Sequence, residues 1–259
     1  VSALLLCAHG SRHPGAAPAL AGLTRAVAAR LPAPAAGGPA AVRLTWLEFG
    51  APDLAGACAG LAAAGRRAAV VAPLLFTGAF HRRVDLPAQA AAAEAATGVR
   101  LGIAPGLGLG EPVARAMLGS IRAAAGAAGA AGGADVLVVA VGSSDAAANA
   151  AVAGFARRLD GRWPGRVRHA FCVGAGAPRF TAELPAARAR AAQDGRALVL
   201  APLFTAPGLL WDAARRRVPA GAWTAAGPGR VLAAEPLGAR LAPVVADRWT
   251  AAGSAAGAA

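Results

Sequence analysis

The chain repeats itself, and that repeat limits the folds open to it more than any other feature. ALLLCAHGS at 3–11 returns as DVLVVAVGS at 135–143. FGAPDLAGA at 49–57 returns as AGAPRFTAE at 175–183, and RRAAVVAPLLFTG at 66–78 as GRALVLAPLFTA at 195–206. The blocks keep their order, with offsets of 132, 126 and about 129 residues. The chain is therefore expected to build one architecture twice, over 1–125 and 134–259. The small-residue stretch 124–133 is the expected linker.

Each repeat alternates short apolar runs with Ala- and Arg-rich stretches. In the first, strands are expected at 2–8, 42–47, 68–72 and 99–103, and helices at 16–31, 52–64, 83–96 and 111–125. Pro52 fits the first turn of its helix, and Gly65 and Gly98 fit helix ends. Strands separated by helices of this length imply an α/β fold: two tandem homologous units, each a small parallel sheet flanked by helices.

Composition enters where it excludes classes. Of 259 residues, 80 are Ala and 34 Gly, and 56% are hydrophobic against 15% charged, which excludes a disordered chain. Mean hydropathy is +0.49, yet no run of about 20 apolar residues suggests a membrane span. VSALLLCAHG has no basic residue ahead of its short apolar run, so a secretory signal is not expected and a cytoplasmic protein is. Cys7, Cys58 and Cys172 are isolated, without a CxxC, and read as small core residues. The net charge of +13 comes from 26 Arg with no Lys. These Arg are scattered without interleaved aromatics, so nucleic acid is not the expected partner. They suit a GC-rich coding bias or a small polyanionic ligand steered by the field.

The repeat supplies an internal comparison: a side chain polar in one unit and apolar in the other is not demanded by the fold. His9, just after the first strand, aligns with Val141; Glu48, after the second, aligns with Gly174; and His81, after the third, aligns with about Leu209. All three fall at carboxyl ends of expected parallel strands, the rim where open α/β sheets bind ligands. Two imidazoles and a carboxylate suit a borderline divalent ion, and equally suit proton abstraction near neutrality. The HGS and GSS turns, with Ser11, Ser143 and Ser144, can hold an anion at a helix start, although no P-loop or dinucleotide fingerprint is present. His13 reads as a satisfied surface residue, and His169 as a bystander.

LLLCAHGSRHPGA, WLEFGAPDLA, APLLFTGAFHRRVDLP, VGSSDAAAN and APLFTAPGLLWD together resemble the long, two-repeat sirohydrochlorin chelatases of the CbiX/SirB type. The resemblance spans nearly the whole chain. It implies two chelatase units facing each other across a cleft, with the active site in the first. It implies ATP-independent insertion of Co²⁺ or Fe²⁺ into sirohydrochlorin, on the way to cobalamin or sirohaem, with the metal as substrate and no permanent cofactor. His9 and His81 would then be the catalytic and metal-binding pair, one accepting a proton and the other holding the ion, in either order. Glu48 would accept protons or fix an imidazole. Arg12, Arg82 and Arg83 beside the histidines would meet the substrate's carboxylate arms. The expected partners are sirohydrochlorin and the ion, and the expected state is a monomer with an internal pseudo-twofold repeat. The alternative is a non-catalytic tetrapyrrole or metal carrier using the same cleft.

Overall fold

A computed structural model describes residues 2–78, 84–130, 133–175, 177–224 and 227–256. It contains two four-stranded sheets, all of whose pairings are parallel. The first has the order β2–β1–β3–β4, from β1 (Ala3–Ala8), β2 (Val42–Trp46), β3 (Ala68–Pro73) and β4 (Arg100–Ile103). The second has the same order, β6–β5–β7–β8, from β5 (Asp135–Ala140), β6 (Val167–Phe171), β7 (Leu198–Pro202) and β8 (Val231–Ala233). The α/β class and the doubled architecture expected from the repeat are both present.

The central strands explain the near-continuous apolar runs. ALLLCA of β1 and DVLVVA of β5 are buried throughout, because each is paired on both edges and covered on both faces. Side chains alternate along β1. Ala3, Leu5 and Cys7 pack with Leu54, Cys58, Leu61, Leu86 and Ala90 of α2 (Leu54–Ala63) and α3 (Leu86–Thr97). Leu4 and Leu6 point to the opposite face, where α1 (Ala16–Ala28) lies. In the second sheet, Leu137 and Val139 pack with Phe180, Leu184 and Trp211 from α6 (Phe180–Gln193) and α7 (Leu209–Arg216). Burial pushes the Cys7 thiol up to about 12 and Cys172 up to about 11, and also raises Cys58, with Glu94 adding to it. Cys7 and Cys58 are buried, as core residues should be, and Cys172 packs partly buried against the second core.

The compact units are 1–108 with 238–259, and 109–237, so they differ from the continuous halves 1–125 and 134–259. The last helix of each repeat is exchanged. Helix α4 (Glu111–Ala127) packs against β7, β8 and α5 (Ala146–Asp160). Helix α9 (Ala242–Ala256) packs against α1 and β3, the same place in the first unit. Each is pinned to the segment after its adopted sheet's last strand. Ser120 Oγ donates to the Glu235 carbonyl at 2.8 Å. Arg248 donates to the carbonyls of Gly106 at 2.9 Å and Leu107 at 3.0 Å. The expected linker is thus partly helix: α4 continues through Ala127, and the chain passes between units at 108/109 and 237/238. Helix α2 also begins later than expected. Pro52 lies in the turn before it, and Asp53 is the N-cap, its Oδ1 accepting the Gly56 N–H at 2.8 Å. Among the described residues no helix is long and apolar enough to cross a membrane.

Candidate active site

In a sheet of order 2–1–3–4 the connections leave the central strands in opposite directions. The switch point lies at the carboxyl ends of β1 and β3, where ligands of open α/β sheets bind. His9 follows β1 directly and is half-buried, with Nδ1 shielded from solvent. Glu48 lies two residues beyond β2 and is exposed. The strand pairing continues past the strands into their turns. Leu47 N–H donates to the Ala8 carbonyl and Glu48 N–H to the His9 carbonyl, each at 2.9 Å. The structure therefore joins His9 and Glu48 backbone to backbone. His81, Arg82 and Arg83 lie outside the described residues.

Glycine makes this approach possible. Gly10 has φ +123°, and a Cβ there would stand 1.9 Å from the Glu48 carbonyl oxygen. The second unit repeats the arrangement with Gly142, at φ +94°, 2.1 Å from the Val173 carbonyl oxygen.

These contacts correct the alignment of the halves. Cys172 and Val173 donate to Ala140 and Val141 as Leu47 and Glu48 donate to Ala8 and His9. The counterpart of Glu48 is therefore Val173, and Gly174 is the counterpart of Phe49. The one-residue difference falls in the following turn, because Asp53 and Arg179 make equivalent bridges to Trp46 and Phe171. Glu48 remains polar in one unit only. Val141 and Val173 leave the second rim apolar, 40% and 37% exposed.

Phe49 is the described non-glycine residue with positive φ, +48°, where the second unit has Gly174 at +77°. An L side chain in this region costs roughly 1–2 kcal/mol. The ring does not go into the core; it is 53% exposed, with the Arg12 guanidinium 4.3 Å above its centroid. An exposed cation–π contact contributes about 0.5–1 kcal/mol, too little to offset that strain. Sequence reasoning missed Phe49, because nothing in LEFGAPDL marks its backbone conformation.

The serines serve the turns. Ser11 Oγ accepts the His13 N–H at 3.1 Å, and His13 Nδ1 accepts the Gly15 N–H at 2.9 Å. In the second unit Ser143 Oγ accepts the Asp145 N–H at 3.0 Å. The amide of Asn149 also clamps the Ser143 backbone, accepting its N–H at 3.0 Å and donating to its carbonyl at 2.8 Å. Ala17 stands in the corresponding place of the first unit, so the Ser11 turn has no such clamp. Ser144 is exposed.

His169 sits within β6 and stacks edge-on against Phe171 at 5.4 Å between ring centroids. Burial depresses its pKa below the usual imidazole value, against a hydrogen bond to Ala177 backbone that raises it. Nearby, buried Glu183 pairs with Arg168 at 2.8 Å and with Arg190, and buried Asp135 pairs with Arg196 at 3.3 Å. These groups serve the fold of the second unit. Among the described residues no three His, Cys, Asp or Glu side chains gather as a metal site.

Comparison with known proteins meets this geometry at the family level. Residues 3–124 match the CbiX family model, and that segment contains His9, Glu48, Phe49 and His81. Among solved structures, sirohydrochlorin chelatase SirB from Bacillus subtilis subspecies spizizenii, in complex with cobalt, superposes with a TM-score of 0.74 at 21% identity, covering 98% of this chain and 95% of that one. SirB from Bacillus subtilis with Fe³⁺ gives a TM-score of 0.76 at 19% identity, covering 99% and 97%. CbiX, described as the terminal enzyme for biosynthesis of sirohaem in denitrifying bacteria, gives 0.60 at 23% identity, covering 96% and 98%. No curated protein sequence matches. The family match bears out the resemblance carried by the motifs of the first half, and the superpositions bear out the fold of the whole chain.

Proposed function

From a first half that matches the CbiX family and a whole chain in the fold of the sirohydrochlorin chelatases, we propose that the protein inserts a divalent metal ion, Co²⁺ or Fe²⁺, into sirohydrochlorin. One observation carries this reading. The segment matched by the family carries His9, Glu48 and His81, while the described counterparts of His9 and Glu48 in the second unit are valines.

Metallating the macrocycle requires removal of two pyrrole protons and loss of water from the ion. One imidazole of the pair His9 and His81 accepts such a proton. The other holds the incoming ion, so that ion and ring meet in register rather than by collision. Glu48, joined through its backbone to His9, takes up protons from the imidazole or from the ring. Arg12, Arg82 and Arg83 meet the carboxylate arms as charge-assisted pairs. The Ser11 turn contributes hydroxyl and backbone groups at the same rim, and Ser143 and Ser144 do so at the second.

The test is an absorbance assay of sirohydrochlorin with Co²⁺, Fe²⁺ or Ni²⁺ supplied in turn. Catalysed metallation of many equivalents per protein is expected, with Co²⁺ or Fe²⁺ the faster ion. A reaction that stops at about one equivalent identifies a carrier instead. Metallation at the uncatalysed rate contradicts the proposal.

A further inference from the structure

The turn after β2 places a residue at positive φ, and Phe49 puts a side chain where a glycine would serve without strain. The equivalent turn of the second unit closes with Gly174, also at positive φ, and makes the same hydrogen bonds on the residue before it. Phe49 therefore introduces strain that the fold avoids elsewhere, and its half-exposed ring fills no core position. What the ring does is hold Arg12, whose guanidinium lies 4.3 Å above it. Arg12 is three residues from His9, and Phe49 is next to Glu48. The pair is also absent as a pair from the second unit, where Ser144 stands for Arg12 and Gly174 for Phe49. Ring and guanidinium are present where His9 and Glu48 are present, and both are missing where these are replaced by Val141 and Val173.

We propose that Phe49 is a substrate-positioning residue: its left-handed backbone and its ring hold the Arg12 guanidinium at the His9–Glu48 rim to receive a carboxylate arm of the tetrapyrrole. An unsupported surface arginine samples many rotamers and loses that freedom on binding. One stacked on a fixed ring has lost part of it beforehand, and its planar fork is presented for bidentate pairing with a carboxylate. Phe49 acts through Arg12 and takes no part in proton or metal transfer. The inference rests on the function proposed above.

The experiment is steady-state metallation of sirohydrochlorin by the full chain and by Phe49→Gly, Phe49→Trp, Arg12→Ala and the Arg12→Ala/Phe49→Gly double variant, with thermal unfolding of each. Phe49→Gly installs the residue that the second unit already uses, so it is expected to fold with an unchanged or higher melting temperature. Its KM for sirohydrochlorin should rise about tenfold with kcat within about threefold. Arg12→Ala should give the same KM. The double variant should be within about twofold of the poorer single, because the two residues act as one unit. Phe49→Trp keeps a ring under the guanidinium and should restore KM to within about threefold of the original. A Phe49→Gly variant with unchanged KM overturns the inference while leaving the chelatase reading intact. So does a double variant whose effects multiply, or a Phe49→Gly variant that loses thermal stability and is not rescued by Trp. An unmodified protein that neither binds nor metallates sirohydrochlorin overturns both.

Discussion

Adding one methyl group at Gly10 should separate the two turns that carry His9 and Glu48. A Cβ at this position falls 1.9 Å from the Glu48 carbonyl oxygen and 2.6 Å from its carbonyl carbon, so backbone rather than a flexible side chain must move. The residue is also held at φ +123°, which an L side chain rarely adopts. The strained conformation accounts for about 1–3 kcal/mol. Loss of the Glu48-to-His9 hydrogen bond adds about 0.5–1.5 kcal/mol, so Gly10→Ala should destabilise by about 1.5–4.5 kcal/mol. The second unit supplies the control. Gly142→Ala meets the Val173 carbonyl at 2.1 Å from φ +94°, a nearly identical conflict. Urea titrations should show comparable losses of stability for the two variants. Rates measured on the folded fraction, well below either midpoint, should diverge. Gly10→Ala should lower kcat/KM for chelation by at least about tenfold, since misplacing groups by an ångström has that order of effect. Gly142→Ala should stay within about threefold. Equal losses of rate in both variants would refute proton and metal transfer confined to the first unit. A Gly10→Ala variant as stable as the original would refute the close approach itself.

Further outcomes follow from other residues. His169→Gln should leave chelation within about threefold. It should also flatten the acid side of the stability curve: burial lowers the folded pKa of His169, so the unfolded chain takes up its proton first and stability is lost as pH falls below about 6.5. Urea midpoints at pH 7.5 and pH 5.5 measure this. Asp53→Ala removes the α2 N-cap and should cost about 1 kcal/mol without changing kcat, as seen by thermal unfolding and turnover. Arg82→Ala with Arg83→Ala should raise KM with a smaller effect on kcat. A change confined to kcat would contradict a docking role.

The strands were legible because each is a short apolar run closed by Gly, Pro or a turn, and the repeat supplied the order of the units. Register across the repeat was less legible. Identity between the halves is sparse around 42–50, and only the backbone pairing of β2 with β1, and of β6 with β5, shows that Val173 matches Glu48. The helix exchange was not legible, because which sheet receives α4 depends on its buried face, including Val113, Met117 and Ile121, and on nothing local. The run after Ile121 looked like a linker because it is small-residue-rich, yet alanine is the best helix former and carries α4 to Ala127. The rule that a polar residue found in one unit alone is functional fails in the interior. Asp135 and Glu183 replace Ala3 and Ala57 and simply pair with arginines.

The central claim, that the histidines of the first unit perform the chelation, is tested most directly by steady-state metallation of sirohydrochlorin with His9→Ala, His81→Ala and the double variant, using circular dichroism to establish folding. Val141 occupies the place of His9 in a unit with the same sheet, so His9→Ala should fold. Each single variant should lose roughly 10²–10⁴ in kcat. The double should be little worse than the poorer single, because a proton acceptor and an ion ligand at one ring centre act jointly. Folded single variants that retain nearly the original rate would contradict the account.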